Sequence, residues 1–154
     1  MFNHQPSNYV CPFCKLLSGD ESEHNSQNDI VFKNDFATAS ISPKWWGINK
    51  GHIIVVPNTH YENMYDTPDD TLGEVYKVVK KISIAMRNTY ECEGISTRQH
   101  NEPAGNQDVW HLHVHVFPRY DGDRLYQNHD DKDFVSREER APYAEKLRTY
   151  LAAN

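Results

Sequence analysis

Residues 110–118 read WHLHVHVFP, and within them His111, His113 and His115 alternate strictly with Leu112, Val114 and Val116. Successive side chains of an extended chain point to opposite faces, so the alternation predicts a strand with an aliphatic face on a core and three imidazoles on the other side. Same-face residues lie about 6.6 Å apart along a strand, which lets three rings line a phosphate-sized group. Neutral imidazole is nucleophilic and also protonatable near pH 7, so neighbouring rings can divide attack and proton transfer between them. A merely solvated strand face suits one or two such histidines better than three in strict alternation. The run also follows a glycine-containing polar loop, NEPAGNQD (101–108), and is closed by Pro118.

Outward from this strand, ISTRQH (95–100) reads as its upstream neighbour. DIVFK (29–33) and FATASIS (36–42) read as two short strands joined by a tight turn at Asn34 and Asp35, and HIIVVP (52–57) as a β-branched strand stopped by Pro57. PKWWGINKG (43–51) breaks the pattern with Pro43 and two glycines. One long helix is predicted from about residue 67. Thr67 is read as its N-cap, Pro68 as its first residue, and Leu72, Val75, Val79, Ile82 and Met86 as its buried stripe. Gly94 ends that region. Ser136 and Glu139 stand in capping-box spacing before a C-terminal helix, although Pro142 inside it leaves a later start at Pro142 open. The order β, β, β, α, β, β, α with short early connections predicts an α+β fold. Its sheet is antiparallel, of about five strands, carrying one long helix and a C-terminal helix.

The chain has 154 residues with 22 Asp and Glu against 16 Lys and Arg, a net charge of -6. We expect one domain over 1–154, with a core at about 9–120 and a C-terminal loop and helix at about 121–154. The acidic balance argues against a nucleic-acid partner or an anionic membrane surface, so any phosphate site must be local. Neither a signal-like start nor a membrane-length apolar run is present, and a cytoplasmic location is expected. Of three cysteines, Cys11 and Cys14 form C-x-x-C, which suggests metal or redox chemistry or, more plainly, two unligated thiols. No thioredoxin-type βαβ unit follows the motif. Cys92 reads as an ordinary buried thiol.

HLHVHVF (111–117) resembles the signature of the histidine-triad (HIT) nucleotide hydrolases and transferases. The resemblance extends through CPFC (11–14), GHIIVVPNTH (51–60) and NEPAGNQDVWHLHVHVFPRY (101–120), most of residues 11–120. It implies a homodimer with a continuous sheet and a reaction at the α-phosphate of an adenosine-type nucleotide conjugate, either a dinucleoside polyphosphate or a nucleoside phosphoramidate. It puts the nucleophile on His113, through a nucleotidyl-histidine intermediate, and gives His115 the phosphate oxygens or the leaving group. Gln107 and Asn101 match substrate-binding residues. Similarity to zinc-containing bacterial members implies a structural, Cys₂His₂ zinc site of Cys11, Cys14, His60 and His111, so that His111 orients the catalytic row, and no catalytic metal is required.

The chain departs from the family at three places. Ser40 stands where many relatives carry a ribose-binding acid. Asp108 stands where a small hydroxyl residue contacts phosphate, so it either orients an imidazole or caps the loop. Trp45 and Trp46 occupy a lengthened loop, with one or both stacked on a base or else in the core or a dimer interface. These departures keep a second reading open, a nucleotide-binding or scaffold protein with little turnover. Arg119 is read as a ligand of a distal phosphate or a surface ion pair. His52 stays outside the catalytic set, and His4, His24 and His129 lie in polar segments without an assigned role.

Overall fold

The computed structural model describes residues 2–127 and 131–154; His129 lies outside the described residues. Five strands, β1 (Ile30–Lys33), β2 (Ala37–Ile41), β4 (Ile53–Pro57), β5 (Gly94–Gln99) and β6 (Val114–Arg119), form one antiparallel sheet in the order β1-β2-β4-β6-β5. The remaining strands, β3 (Lys44–Trp46) and β7 (Lys132–Phe134), pair with each other in a separate ribbon. Three helices, α1 (Pro12–Leu17), α2 (Asp69–Thr89) and α3 (Arg137–Ala153), complete the α+β fold.

Strand parity sorts the residues onto two faces. Val55, Val114 and Val116 meet Val75, Val79, Ile82 and Met86 of α2 in the main core, and Ala144 and Leu147 of α3 close the same core. On the opposite face the register sets Ser40 beside Ile54, Ile54 beside His115, and His115 beside Arg98, a row across four strands. Helices cover the first face. The second is covered among the described residues by the ribbon, the N-terminal segment and the loop carrying Leu125 and Tyr126, and it mixes polar side chains such as Ser40, His115 and Arg98 with Ile54 and Phe117.

Several expectations need correction. Regular pairing in the histidine stretch begins at Val114, so His111 and His113 precede the strand and only His115 sits in the ladder. The backbone is diverted because the Leu112 amide donates to the Tyr61 carbonyl at 2.6 Å, outside the sheet. Pro68, not Thr67, caps α2. The Thr67 hydroxyl is already committed to the Asn63 carbonyl at 2.8 Å. Gly94 opens β5 rather than ending the helix, and KWW (44–46) is strand rather than irregular loop. In α3 both halves of the Ser136–Glu139 capping box form, and Pro142 is tolerated inside the helix because it and Glu138, whose carbonyl it leaves unpaired, face water. Cys92 is buried just beyond α2.

Arg119 does not reach for a ligand. Its guanidinium donates to both carboxylate oxygens of Asp123, at 2.6 Å each, and to Ser96. Asp123 also accepts from Asn49 and the Tyr120 and Leu125 amides, and the Arg119 guanidinium first, and then these bonds, hold its carboxyl well below the usual carboxylate range. The distal-phosphate alternative falls and the ion pair stands.

Candidate active site and metal cluster

The three histidines part company. His111 is fully buried and turns towards the N-terminal segment. Its Nε2–H donates to the Pro57 carbonyl at 3.0 Å, which leaves the Nδ1 lone pair facing Cys11 Sγ at 3.3 Å and Cys14 Sγ at 3.6 Å. His60 does the same with other partners. Its Nε2 bonds the Gln5 side-chain oxygen at 2.8 Å and its Nδ1 faces Cys14 Sγ at 3.2 Å. The ligand atoms of Cys11, Cys14, His60 and His111 all lie within 4.8 Å of one another.

Around a tetrahedral cation with metal–sulfur bonds near 2.3 Å and metal–nitrogen bonds near 2.05 Å, sulfur and nitrogen stand about 3.5 Å apart. The sulfur–nitrogen separations of 3.3, 3.6 and 3.2 Å lie near that value. Both imidazoles have their second nitrogen tied to an oxygen acceptor, the arrangement that fixes a ligating tautomer. Burial pushes the Cys11 thiol up to about 11, a cost that a bound dication would relieve. These four residues could hold a metal ion, and they tie α1 to the start of the histidine run.

His113 uses the other tautomer. Its Nδ1–H donates to the His111 carbonyl at 2.7 Å, so the Nε2 lone pair is free and points towards Asp108, whose Oδ1 stands 4.0 Å away. His115 is paired through Nδ1 with His52 Nε2 at 2.8 Å, and His52 Nδ1 lies 3.2 Å from the Lys44 carbonyl. A carbonyl only accepts, so His52 must carry its proton on Nδ1 and His115 must donate from Nδ1. Burial holds His113 and His115 below the ordinary imidazole range and takes His52 down to about 3, so all three rings are neutral at pH 7. His52, set aside in the sequence reading, therefore positions His115. The signal that could have found it was its location at the start of β4, beside the histidine strand.

His113 and His115 open into a cavity of about 270 Å³, close to the ~300 Å³ lower end of small-molecule sites. Phe13, Leu16, Ile54, Trp46 and Phe134 make its walls largely apolar, with Ser40 on its floor. The 5.3 Å separation of the Phe13 and His113 rings places an aromatic wall directly beside the nucleophile candidate. Trp46 faces this cavity and also packs on Phe117 and Leu125, whereas Trp45 lies in the main core against Tyr143.

Gln107 lines a smaller cavity that also contains His115, and both Gln107 and Asn101 bond the surrounding loops. The Gln107 amide donates to the Glu62 and Val109 carbonyls and accepts from the Glu102 amide, bracing the loop. Asn101 exchanges hydrogen bonds with Gln99 and accepts from Met64. Asp108 is 64% exposed at the cavity rim, with Lys132 Nζ 3.8 Å from its other oxygen. Lys132 reaches the site on β7 from far along the sequence, which no local pattern announced.

Comparison with known proteins agrees with this geometry. A HIT domain family model matches residues 23–122. The protein named hit of Bacillus subtilis is 34% identical over 110 residues, 71% of each chain. Adenosine 5'-monophosphoramidase HNT1 of Candida albicans is 31% identical over 119 residues, 75% of this chain and 74% of that one. A zinc-bound histidine triad family protein from Mycobacterium smegmatis superposes with a TM-score of 0.75 at 26% identity over 94% of each chain. The chain belongs to the HIT family. Cys11 and Cys14 precede the matched segment, and α3 follows it.

Proposed function

We propose that this protein is a hydrolase or nucleotidyl transferase that cleaves at the α-phosphate of an adenosine-type nucleotide conjugate. The observation that carries the reading is the His113 tautomer, with Nδ1–H on the His111 carbonyl and Nε2 bare at the mouth of an apolar cavity of nucleoside-accepting size. In this reading the base and ribose enter between Phe13 and Trp46, and Ser40 supplies the single hydroxyl on the floor in place of an acid. His113 Nε2 attacks phosphorus to form a nucleotidyl-histidine, and water then releases the monophosphate. His115, braced by His52 through its Nδ1–H, stands beside the phosphoryl oxygens or the leaving group, where its Nε2 can take up a proton before it donates one. Asp108 would repel a phosphate, and Lys132 beside it offsets that charge.

The four-residue cluster is proposed to bind zinc as a closed structural site, in keeping with its donor set and with the zinc-bound relative. There the metal would supply a cross-link, and no chemical step uses it. Elemental analysis of protein purified without chelator tests this part, and protein without zinc refutes it. The homodimer is likewise part of the proposal. It is supported by the open edge that β5 presents and is tested by scattering mass in solution.

The reading as a whole is tested by incubating wild type and His113→Ala with a diadenosine polyphosphate and an adenosine phosphoramidate. Wild type should release the monophosphate and give a trapped covalent adduct, and the variant should do neither. Folded wild type that binds nucleotide without releasing monophosphate would establish the binding or scaffold reading instead.

A further inference from the structure

A second cavity, of about 250 Å³, adjoins the first and shares Trp46, Asp108, His115 and Lys132 with it. Its distinctive residue is Arg98 of β5, which the sheet register places directly beside His115. The Arg98 guanidinium lies between the rings of Phe117 and Tyr126, 4.9 and 4.6 Å from their centres. Its Nε and Nη2 atoms are buried and make no hydrogen bond among the described residues.

Arg119 provides an internal control. It lies under the same Tyr126 ring, 4.7 Å from its centre, and is neutralised by two short bonds to Asp123. Arg98 has no carboxylate partner among the described residues. An always-charged fork with buried, unsatisfied donors is costly unless an anion completes it. Desolvation weakens its hold on its proton, and the Tyr126 hydroxyl beside it offsets only part of that cost. Lys132 and His100 line the same cavity, the latter with Nδ1 held by the Gly105 carbonyl at 2.6 Å. Asp108 is the one carboxylate among the described lining residues, and Lys132 stands beside it.

We infer that this cavity is the leaving-group subsite and that Arg98 selects a phosphate-terminated leaving group, so the preferred substrates are nucleoside polyphosphate conjugates rather than phosphoramidates of neutral or cationic amines. The inference rests on the function proposed above and narrows it. As the His113 Nε2–phosphorus bond forms, the bond from phosphorus to the bridging oxygen breaks and its electron pair leaves on the departing phosphate. That group needs charge stabilisation and no proton, and Arg98 with Lys132 supplies the charge. Water oxygen then attacks phosphorus, the phosphorus–nitrogen pair returns to His113 Nε2 as that bond breaks, and the water's proton passes to solvent, which leaves His113 neutral and releases the monophosphate.

The test compares kcat/KM for diadenosine triphosphate with kcat/KM for an adenosine phosphoramidate of a neutral amine, in wild type, Arg98→Gln and Lys132→Gln. Loss of charge-assisted hydrogen bonds should lower the polyphosphate-to-phosphoramidate ratio by about tenfold or more in Arg98→Gln, and by less in Lys132→Gln. Inorganic pyrophosphate should compete with diadenosine triphosphate in wild type and lose that competition in Arg98→Gln. A ratio unchanged within about twofold in folded Arg98→Gln overturns the inference, as does pyrophosphate that binds without competing. Should Arg98→Gln fail to fold, an unchanged ratio in Lys132→Gln or an absence of pyrophosphate competition in wild type overturns it equally. Should wild type cleave neither substrate, the hydrolase reading itself fails.

Discussion

His111 and His113 are two residues apart and chemically identical, yet one faces a pair of thiols and the other a ligand cavity. The difference lies in which carbonyl each ring meets. Pro57 takes the Nε2 proton of His111 and leaves Nδ1 for the cysteines, while the His111 carbonyl takes the Nδ1 proton of His113 and leaves Nε2 for the cavity. A backbone oxygen at about 3 Å thus converts one residue type into either a metal-ligand candidate or a nucleophile candidate. Where the chain begins regular pairing, at Val114, the choice has already been made.

The sharpest way to break this contrast is at the proposed nucleophile. His113→Ala should lower monophosphate release by about a thousandfold or more, roughly 4 kcal/mol of transition-state stabilisation. Its thermal midpoint should stay near that of wild type, and activity within tenfold of wild type would end the assignment. At the other end of the run, Cys11→Ser or chelation should remove the proposed zinc and cost about 3 kcal/mol, which for a domain of this size is about 6–12 °C in the midpoint. A chelated protein that melts with wild type would show that the cluster carries no cross-link.

The adjacent tryptophans extend the same logic. Trp45→Ala should cost about 3 kcal/mol in denaturant unfolding by opening the main core, with little change in nucleotide affinity. Trp46→Ala should weaken nucleotide binding, because that ring lines the cavity. Equal loss of affinity in both would remove the distinction between them.

The smallest effect is on pH dependence. Burial lowers the imidazole pKa of His52 to about 3 and of His115 well below its ordinary value, so the unfolded chain binds more protons than the folded one below about 6.5. Their contribution to stability is present above that pH and is lost as pH falls below it, for His52 down to about 3, at up to about 1.4 kcal/mol per pH unit for that ring. His52→Asn should flatten this slope in denaturant melts between pH 5 and pH 7, measured by urea midpoint. An unchanged slope would place the proton uptake elsewhere.

Much of the frame was legible in the residues. The β-branched run Ile53–Val56 and the 3-4 stripe from Val75 to Met86 pack where their periodicity directs them. The grouping of Cys11 and Cys14 with His60 and His111 came from resemblance rather than from spacing, and the structure brings the four together. Spacing could not show that the Gln107 and Asn101 side-chain amides also bond the loop, because an amide bonds loop carbonyls as readily as phosphate and only the folded loop shows which partners are within reach. Arg98 and Lys132 escaped notice because nothing local marks a cation whose partner is a cavity. Each reaches the site through sheet register or through the β3–β7 ribbon.

What the sequence determined by itself was the set of chemical groups and the alternation that puts apolar side chains on one face and imidazoles on the other, because periodicity is a local property of an extended chain. Tertiary structure decided which nitrogen of each ring is free, which histidine joins the thiols, and that a cation rather than a carboxylate stands beside His115. Those outcomes depend on acceptors and charges brought close by pairing between distant strands, and local spacing carries no record of them.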